Sequence, residues 1–207
     1  TQESNPLKKY YRQPKQFVRL PSNYKYYKPG TIQIPESGEV AVFPMTAKDE
    51  LLFKTPDALL NGEAVASLIR SCVPDVKDPK KMFSADVDAL LIAIRGASGG
   101  DDVEVAATCP LCETVTDVTI SVEASLQGME ELEEEYELTL TNGLLVKGLP
   151  FTYFSTIRAG VASFQSTRSM QSISEMEDDM ERLSAFNDSF VKLADLNFEL
   201  LVDSIKS

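Results

Sequence analysis

Residues 45–98, MTAKDELLFKTPDALLNGEAVASLIRSCVPDVKDPKKMFSADVDALLIAIRGAS, carry the densest run of helix start and stop signals in the chain. Thr46, with Asp49 and Glu50 three and four residues on, predicts a capped start with acids in the first turn. Thr55-Pro56-Asp57 is a second start, with proline where its missing N–H is harmless, and Asn61-Gly62 closes that turn. Val65, Leu68, Ile69 and Cys72 follow at i, i+3, i+4, i+7, which predicts a third helix over about Glu63 to Cys72. Pro74 and Pro79 bracket a connection. Ser84, with Asp86 and Asp88 in the first turn, opens a fourth helix that carries Val87, Leu90, Leu91, Ile92 and Ile94 toward Gly96. Apolar nearly all round, it reads as the most buried element of the chain. Nothing in this stretch is arranged for catalysis, so function has to be sought in binding.

The flanks are less regular. Residues 1–30 hold Pro6, Pro14, Pro21 and Pro29 and no sustained period, which predicts an extended arm ordered by whatever it touches. TIQI and EVAVF around Pro35-Glu36-Ser37-Gly38 predict a hairpin over Thr31 to Phe43. After Gly99-Gly100, the β-branched runs VEVAAT and TVTDVTISV flank Cys109-Pro110-Leu111-Cys112, and YELTL and LLVKGL flank the hairpin signal Asn142-Gly143. Between them lies the acidic run of residues 130–135, read as a solvated segment or a dock for a basic partner, including the chain's own arm. From Phe151 the pattern is helical, with Phe154, Ile157, Arg158 and Val161 on one face before the Ser/Gln-rich FQSTRSMQSIS. Ser174 with Glu177 is a capping-box candidate. Beyond it, Met176, Met180, Leu183, Phe186, Phe190, Leu193, Leu196 and Leu200 predict one amphipathic helix of about 30 residues, about 45 Å long.

Charge is divided sharply along the chain. Seven basic groups against Glu3 give residues 1–30 a net +6, which leaves −18 on the remainder of a chain whose total is −12. A basic arm on an acidic body suggests docking on an acidic partner or on itself. The arm also holds five of the seven tyrosines, a composition that suits base stacking, but the acidic body would repel a polyanion, so nucleic acid is set aside. No apolar run approaches the roughly 18 to 20 residues of a membrane-spanning helix. The opening Thr-Gln-Glu-Ser shows no leader pattern, and the three cysteines build no disulfide framework, so a reducing compartment is expected.

The chain has no histidine, which removes Ser-His-Asp and Cys-His relays and the commonest acid/base catalyst at neutral pH. No phosphate-cradling glycine motif occurs. Paired carboxylates lie in charge-rich runs rather than beside apolar pockets that would separate their pKa values, and no enzymatic activity is expected. The one metal-like feature is the CPLC turn, where Cys109 and Cys112 resemble one knuckle of a zinc ribbon. A structural zinc site needs four ligands. Three readings remain: a reduced pair with no cofactor, a zinc site shared between chains, or a redox pair without the strand-then-helix context that lowers a thiol pKa.

The segment LPSNYKYYKPGTIQIPESGEVAVFPMTAKDELLFKTPDALLNGEAVASLIRSCVPDVKDP, with DVDALLIAIRGAS and the CPLC turn, resembles the baseplate hub assembly proteins of T4-type contractile phage tails. The likeness covers roughly residues 20–122, and MTAKDE, TPDALLNGEA, SCVP and LLIAIR are its most specific parts. Such relatives often have CPHC or CPxCG at the knuckle, where this chain has Leu111 and Glu113. The resemblance implies a late, structural virion protein needed to build the central hub of the baseplate. It would assemble in the host cytoplasm and end in the tail baseplate, or act as a transient chaperone absent from the finished particle. A zinc-knuckle adaptor is the other alternative.

The resulting expectation is an α+β fold: a compact bundle of short helices with small β hairpins, an extended basic arm and a long C-terminal helix. Its divisions are residues 1–30 (arm), 31–150 (body) and 151–207 (helical region). Docking on other hub proteins is assigned to Lys8, Lys9, Tyr10, Tyr11 and Arg12 of the arm and to Phe186, Phe190 and Leu193 of the last helix, which also suits a homo-oligomer. Removal of residues 1–20 should then abolish incorporation while leaving the body folded.

Overall fold

The computed structural model describes residues 12–133 and 135–205, and the fold is α+β. Its core is assembled around the stretch of helix signals. Thr46 caps α1 (Ala47–Leu52) through a reciprocal box: its Oγ1 accepts from Asp49 N at 3.3 Å, and Asp49 Oδ2 accepts from Thr46 N at 2.8 Å. Pro56 opens α2 (Pro56–Leu60), and Gly62 leads into α3 (Glu63–Cys72). A short 3-10 turn, Pro79–Lys81, precedes α4 (Ser84–Gly99). With Val87, Ala89, Leu90, Ala93, Ile94 and Gly96 all buried, α4 is the central element, as its all-round apolar pattern predicts.

Two strands complete this core, and one pairing differs from expectation. Val40–Val42 (β2) does not fold back on TIQI; it pairs antiparallel with Gln16–Val18 (β1), Gln16 opposite Val42 and Val18 opposite Val40. Ile32 instead forms an isolated bridge to Val76, and Gln33 N donates to Asp75 O at 2.8 Å. The alternation in EVAVF fits any partner that leaves Val40 and Val42 facing the helices, and both are fully buried. TIQI offers no matching apolar face, because Ile34 points to solvent. From Arg12 to Leu20 the N-terminal segment is therefore extended but built into the core, with Leu20 1% exposed and Val18 buried beside it. A cut at residue 20 would remove β1 and two core side chains, so the body would not survive the deletion as expected.

Beyond Gly100 the chain leaves the core. Asp102–Thr108 (β3) and Val115–Ser121 (β4) form a seven-pair hairpin around the CPLC turn. The six-residue helix α5 (Val122–Gln127) follows, taking its first residue, Val122, from the end of the run TVTDVTISV that reads as strand. Its signals are Ser121, whose Oγ accepts from Ala124 N at 3.0 Å, and Gly128 at its end. Val122 seats it on α4, where a Cβ on Gly96 would lie 2.7 Å from Val122 Cγ1. Tyr136–Thr139 (β5) pairs with Leu145–Gly148 (β6) across the expected Asn-Gly turn.

Two antiparallel helices end the chain: α6 (Tyr153–Ser174) and α7 (Asp179–Ser204). The Ser/Gln-rich tract continues α6 instead of ending it, with hydroxyls such as Thr167 Oγ1 bonding back to Ser163 O at 3.0 Å. Ser174 is thus the last residue of α6 and not a cap. The cap of α7 is Asp178, whose Oδ1 accepts from Met180 N and Glu181 N at 2.8 and 2.9 Å. The long C-terminal helix has 26 residues, about 39 Å, and excludes Met176. Arg158 ties the hairpin together through Glu199 Oε2 at 2.5 Å and Asp203 Oδ2 at 3.2 Å.

This arrangement leaves much surface uncovered. The chain exposes 14205 Å², whereas a compact monomer of 22.8 kDa exposes roughly 9,600 Å². Counting residues 1–11 as bare extended chain removes at most about 2,000 Å² of the difference.

Candidate functional site

Of the arm residues assigned to docking, Lys8, Lys9, Tyr10 and Tyr11 lie outside the described residues. Arg12 is placed at the C-terminal end of α3, where Nη1 donates to Ser71 Oγ at 3.3 Å and Nη2 to Cys72 Sγ at 3.1 Å. Its guanidinium lies 5.7 Å over the Phe43 ring. Ser71 Oγ donates onward to Asp49 Oδ2 at 3.1 Å, so the arm is joined to the α1 cap through one polar chain. Burial alone would raise the Asp49 pKa; the Thr46 and Ser71 hydrogen bonds and the Arg12 charge together hold it below the usual value. Arg12→Ala removes two hydrogen bonds and the ring contact, and is expected to lower stability by about 1–2 kcal/mol in urea denaturation.

The acidic run meets the same N-terminal segment, by neutral groups. Leu132 N donates to Pro21 O at 2.8 Å and Tyr26 Oη to Glu133 O at 2.6 Å. Lys147 pairs with Glu135 at 2.5 Å and Glu137 at 3.2 Å on the adjacent hairpin.

The tyrosines, read in sequence as contact area for a partner, are largely used at home. Tyr27 stacks on Phe83 at 5.3 Å and Tyr26 meets the same ring edge-on at 5.8 Å, with Tyr26 held at φ 74°. These rings line a groove of about 630 Å³ with Leu149 and Phe154, rimmed by Lys28, Lys80 and Lys81. Lys80 and Lys81 are paired with Glu63 and Asp78.

On α7, successive residues turn by about 100°, which sorts the helix into three stripes. Leu193, Leu196 and Leu200 face α6, with Leu193 lining the crevice between the helices beside Ala162 and Gln165. Glu181, Asp188, Lys192, Asp195, Glu199 and Asp203 form a charged stripe. The third stripe is apolar and open: Met180, Phe190 and Phe198 are 78%, 61% and 68% exposed, flanked by Leu183, Phe186, Leu201 and Val202. Phe190 thus lies on the outward face, whereas Leu193 turns inward, Phe186 sits one helical turn from Phe190 beside Met170 and Ile173 of α6, and Arg12 sits at a different part of the molecule. The period of apolar residues located this helix, but could not say which part of the stripe α6 would cover.

At the CPLC turn, Cys109 N donates to Thr114 O at 3.0 Å and Glu113 N to Cys109 O at 2.9 Å, with Glu113 at φ 57°. The knuckle shape is kept without a glycine after the second cysteine. Cys112 is exposed, with its Sγ donating to Thr114 Oγ1 at 3.3 Å, and hydrogen bonding with Thr114 first and then with Cys109 sets its pKa below the usual thiol value. Among the described residues, no group of three or more Cys, Asp or Glu side chains is placed to hold a metal ion, and no helix is long and apolar enough to cross a membrane.

An oversized surface, hairpins without a core of their own and an apolar helix face open to water are the marks of a subunit built to pack against others. The family model for the T4 bacteriophage base plate protein matches residues 17–207, and the chain belongs to this family of T4-type phage baseplate proteins. No curated protein and no solved structure matches it. Membership supports a structural or assembly role in the virion tail baseplate, in contact with other baseplate proteins.

Proposed function

We propose that the chain is a non-enzymatic subunit of the central hub of a contractile-tail baseplate, docking on neighbouring hub proteins through the open face of α7. The observation that carries this reading is the row from Met180 to Val202, apolar yet exposed on a helix whose opposite side is already packed. Large apolar side chains in water stabilise a complex once a partner removes them from it, and aromatic anchors contribute most. The basic residues Lys8 and Lys9, with Tyr10 and Tyr11, add a second contact to acidic neighbours, and Arg12, bonded to Ser71 and Cys72, anchors that arm to the core. The three divisions, arm, body and helical region, correspond in this reading to tether, scaffold and docking surface. Assembly takes place in the host cytoplasm, and nucleic acid is not a partner of so acidic a body.

The test is co-purification of baseplate intermediates with tagged chain. Phe190→Asp with Phe198→Asp should lower recovery of hub proteins at least about tenfold, because charges would have to be buried in the interface. Circular dichroism and melting of the isolated variant should match the parent, since both rings are exposed. Unchanged recovery would refute docking through α7. Mass spectrometry of finished particles then separates a permanent subunit, present in them, from a transient chaperone, present only in intermediates.

A further inference from the structure

The β3–β4 hairpin has two features that the docking reading leaves unused, and both lie on the same element. Its register places Val103 opposite Ile120 and Val105 opposite Val118, so these four side chains share one face. Val105, Val118 and Ile120 on that face are each more than two-fifths exposed. An isolated two-stranded hairpin is marginal in water, and an apolar face left open weakens it further. The second feature is the tip, where Cys109 and Cys112 flank Pro110 and Leu111, and Leu111 is 95% exposed. The left-handed backbone at Glu113 folds the chain back in a tight turn, with Glu113 N donating to Cys109 O at 2.9 Å and Cys109 N to Thr114 O at 3.0 Å, so that both cysteines sit at one hairpin tip. That is the shape in which two thiolates grip a tetrahedral metal from a tight turn.

Within one chain the site stops at two ligands. The chain has no histidine, and no described carboxylate joins the pair. The third cysteine, Cys72, is fully buried in the core and bonded to Arg12, with its thiol pKa raised, chiefly by burial. A structural zinc site takes four ligands. A two-fold axis running along the hairpin supplies the missing pair: it brings two identical tips together and faces the two Val105/Val118/Ile120 surfaces at sheet-packing distance. We propose that Cys109 and Cys112 bind zinc as half of a four-thiolate site completed by a second copy of this chain, with the apolar hairpin faces packed beneath it. Zinc enters as Zn²⁺, each thiol still protonated gives up its proton to solvent, and no redox partner is required. The metal and the hairpin packing are then one linked equilibrium: zinc drives pairing, and pairing raises zinc affinity.

The proposal does not depend on residence in the hub, because it is read on the purified chain. Under reductant, zinc titration of the full chain with light scattering should raise the mass from 22.8 kDa to about twice that value, with about one metal per two chains. Cobalt should give intense thiolate charge-transfer and tetrahedral d–d bands at the same ratio. Cys112→Ser, at an exposed position, should abolish both responses without changing the circular dichroism. Val118→Lys keeps all four thiols but buries charge between the hairpins, and should weaken zinc-driven pairing at least about tenfold. No metal uptake by the reduced chain, one metal held by a monomer, or a dimer insensitive to both chelator and Cys112→Ser would each overturn the proposal.

Discussion

Asp86→Ala is expected to be among the most destabilising single substitutions in the chain. Asp86 is fully buried, and its carboxylate accepts from Ser22 N at 2.8 Å, Ser22 Oγ at 2.5 Å and Tyr27 Oη at 2.5 Å. Tyr27 Oη accepts in turn from Phe83 N at 3.0 Å, and Ser22 Oγ accepts from Tyr24 N at 3.2 Å. One side chain on α4 therefore fastens the whole Ser22–Tyr27 turn, including the left-handed Asn23, Tyr24 and Tyr26, onto the helix that fills the core. Removing it leaves a buried N–H and two hydroxyls without their acceptor, at about 1–3 kcal/mol for each group that finds no substitute. Since both hydroxyls can rotate, a loss of about 3–4 kcal/mol in chemical denaturation is expected, a large share of the roughly 5–15 kcal/mol of a whole domain. A loss below about 1 kcal/mol would show that the turn holds without this anchor.

The same carboxylate has a pH signature. Burial raises its pKa, and the hydrogen bonds from Ser22 and Tyr27 only partly offset that rise. A carboxylate with a raised folded pKa contributes stability that is fully present below its unfolded pKa, about 3.9, and is lost as pH rises through the folded value. Asp86→Asn removes this titration while keeping the shape. The stability of the parent relative to Asp86→Asn should therefore increase as pH falls from about 7 to about 4.5. Tyr27, whose own pKa is driven upward by burial and then by Asp86, stays a phenol throughout and remains a donor.

The second large effect is expected at Gly62. This residue sits at φ 73° between α2 and α3, in a conformation that disfavours a side chain by about 1–2 kcal/mol. A Cβ there would also come 2.2 Å from Ile157 Cδ1, 2.7 Å from Ile157 Cγ1 and 3.2 Å from Tyr153 Oη. The closest atom ends a flexible side chain, so Gly62→Ala should cost about 2 kcal/mol, while the branched Gly62→Val should cost about 3 kcal/mol or more and displace α6. The two contributions can be separated. Ile157→Ala, by opening space, should restore part of the loss in Gly62→Ala, whereas backbone strain would be untouched. A double-mutant cycle with no coupling would place the whole effect in the backbone.

How much of this was legible in the sequence depends on the range of the interaction. Thr46 with Asp49, Pro56, the end at Gly62, the i, i+3, i+4, i+7 stripe of α3 and the Asn142-Gly143 turn act within one or two turns of chain. Their outcomes follow from local capping and backbone preferences. The long C-terminal helix was legible as a period, but its start was not. Ser174 and Asp178 are both competent caps, and α6 continues through Ser174 because packing on α7 stabilises a tract of weak helix formers. Of the assigned docking residues, Phe186, Phe190 and Leu193 were found by that period, whereas their division into outward and inward faces required the partner helix.

By itself the sequence determined the local elements, the absence of histidine chemistry, the knuckle turn and the charge division, because each follows from residue type and short spacing. Only the tertiary structure decided that β2 pairs with Gln16–Val18 and not with TIQI, since an alternating strand accepts any partner and burial of Val40 and Val42 selects one. It alone turned Asp86 from a first-turn helix acid into the buried anchor of a turn 64 residues away. It alone left the Val105/Val118/Ile120 face and the outer side of α7 uncovered. Burial is a sum over residues distant in sequence, and no local pattern carries that sum.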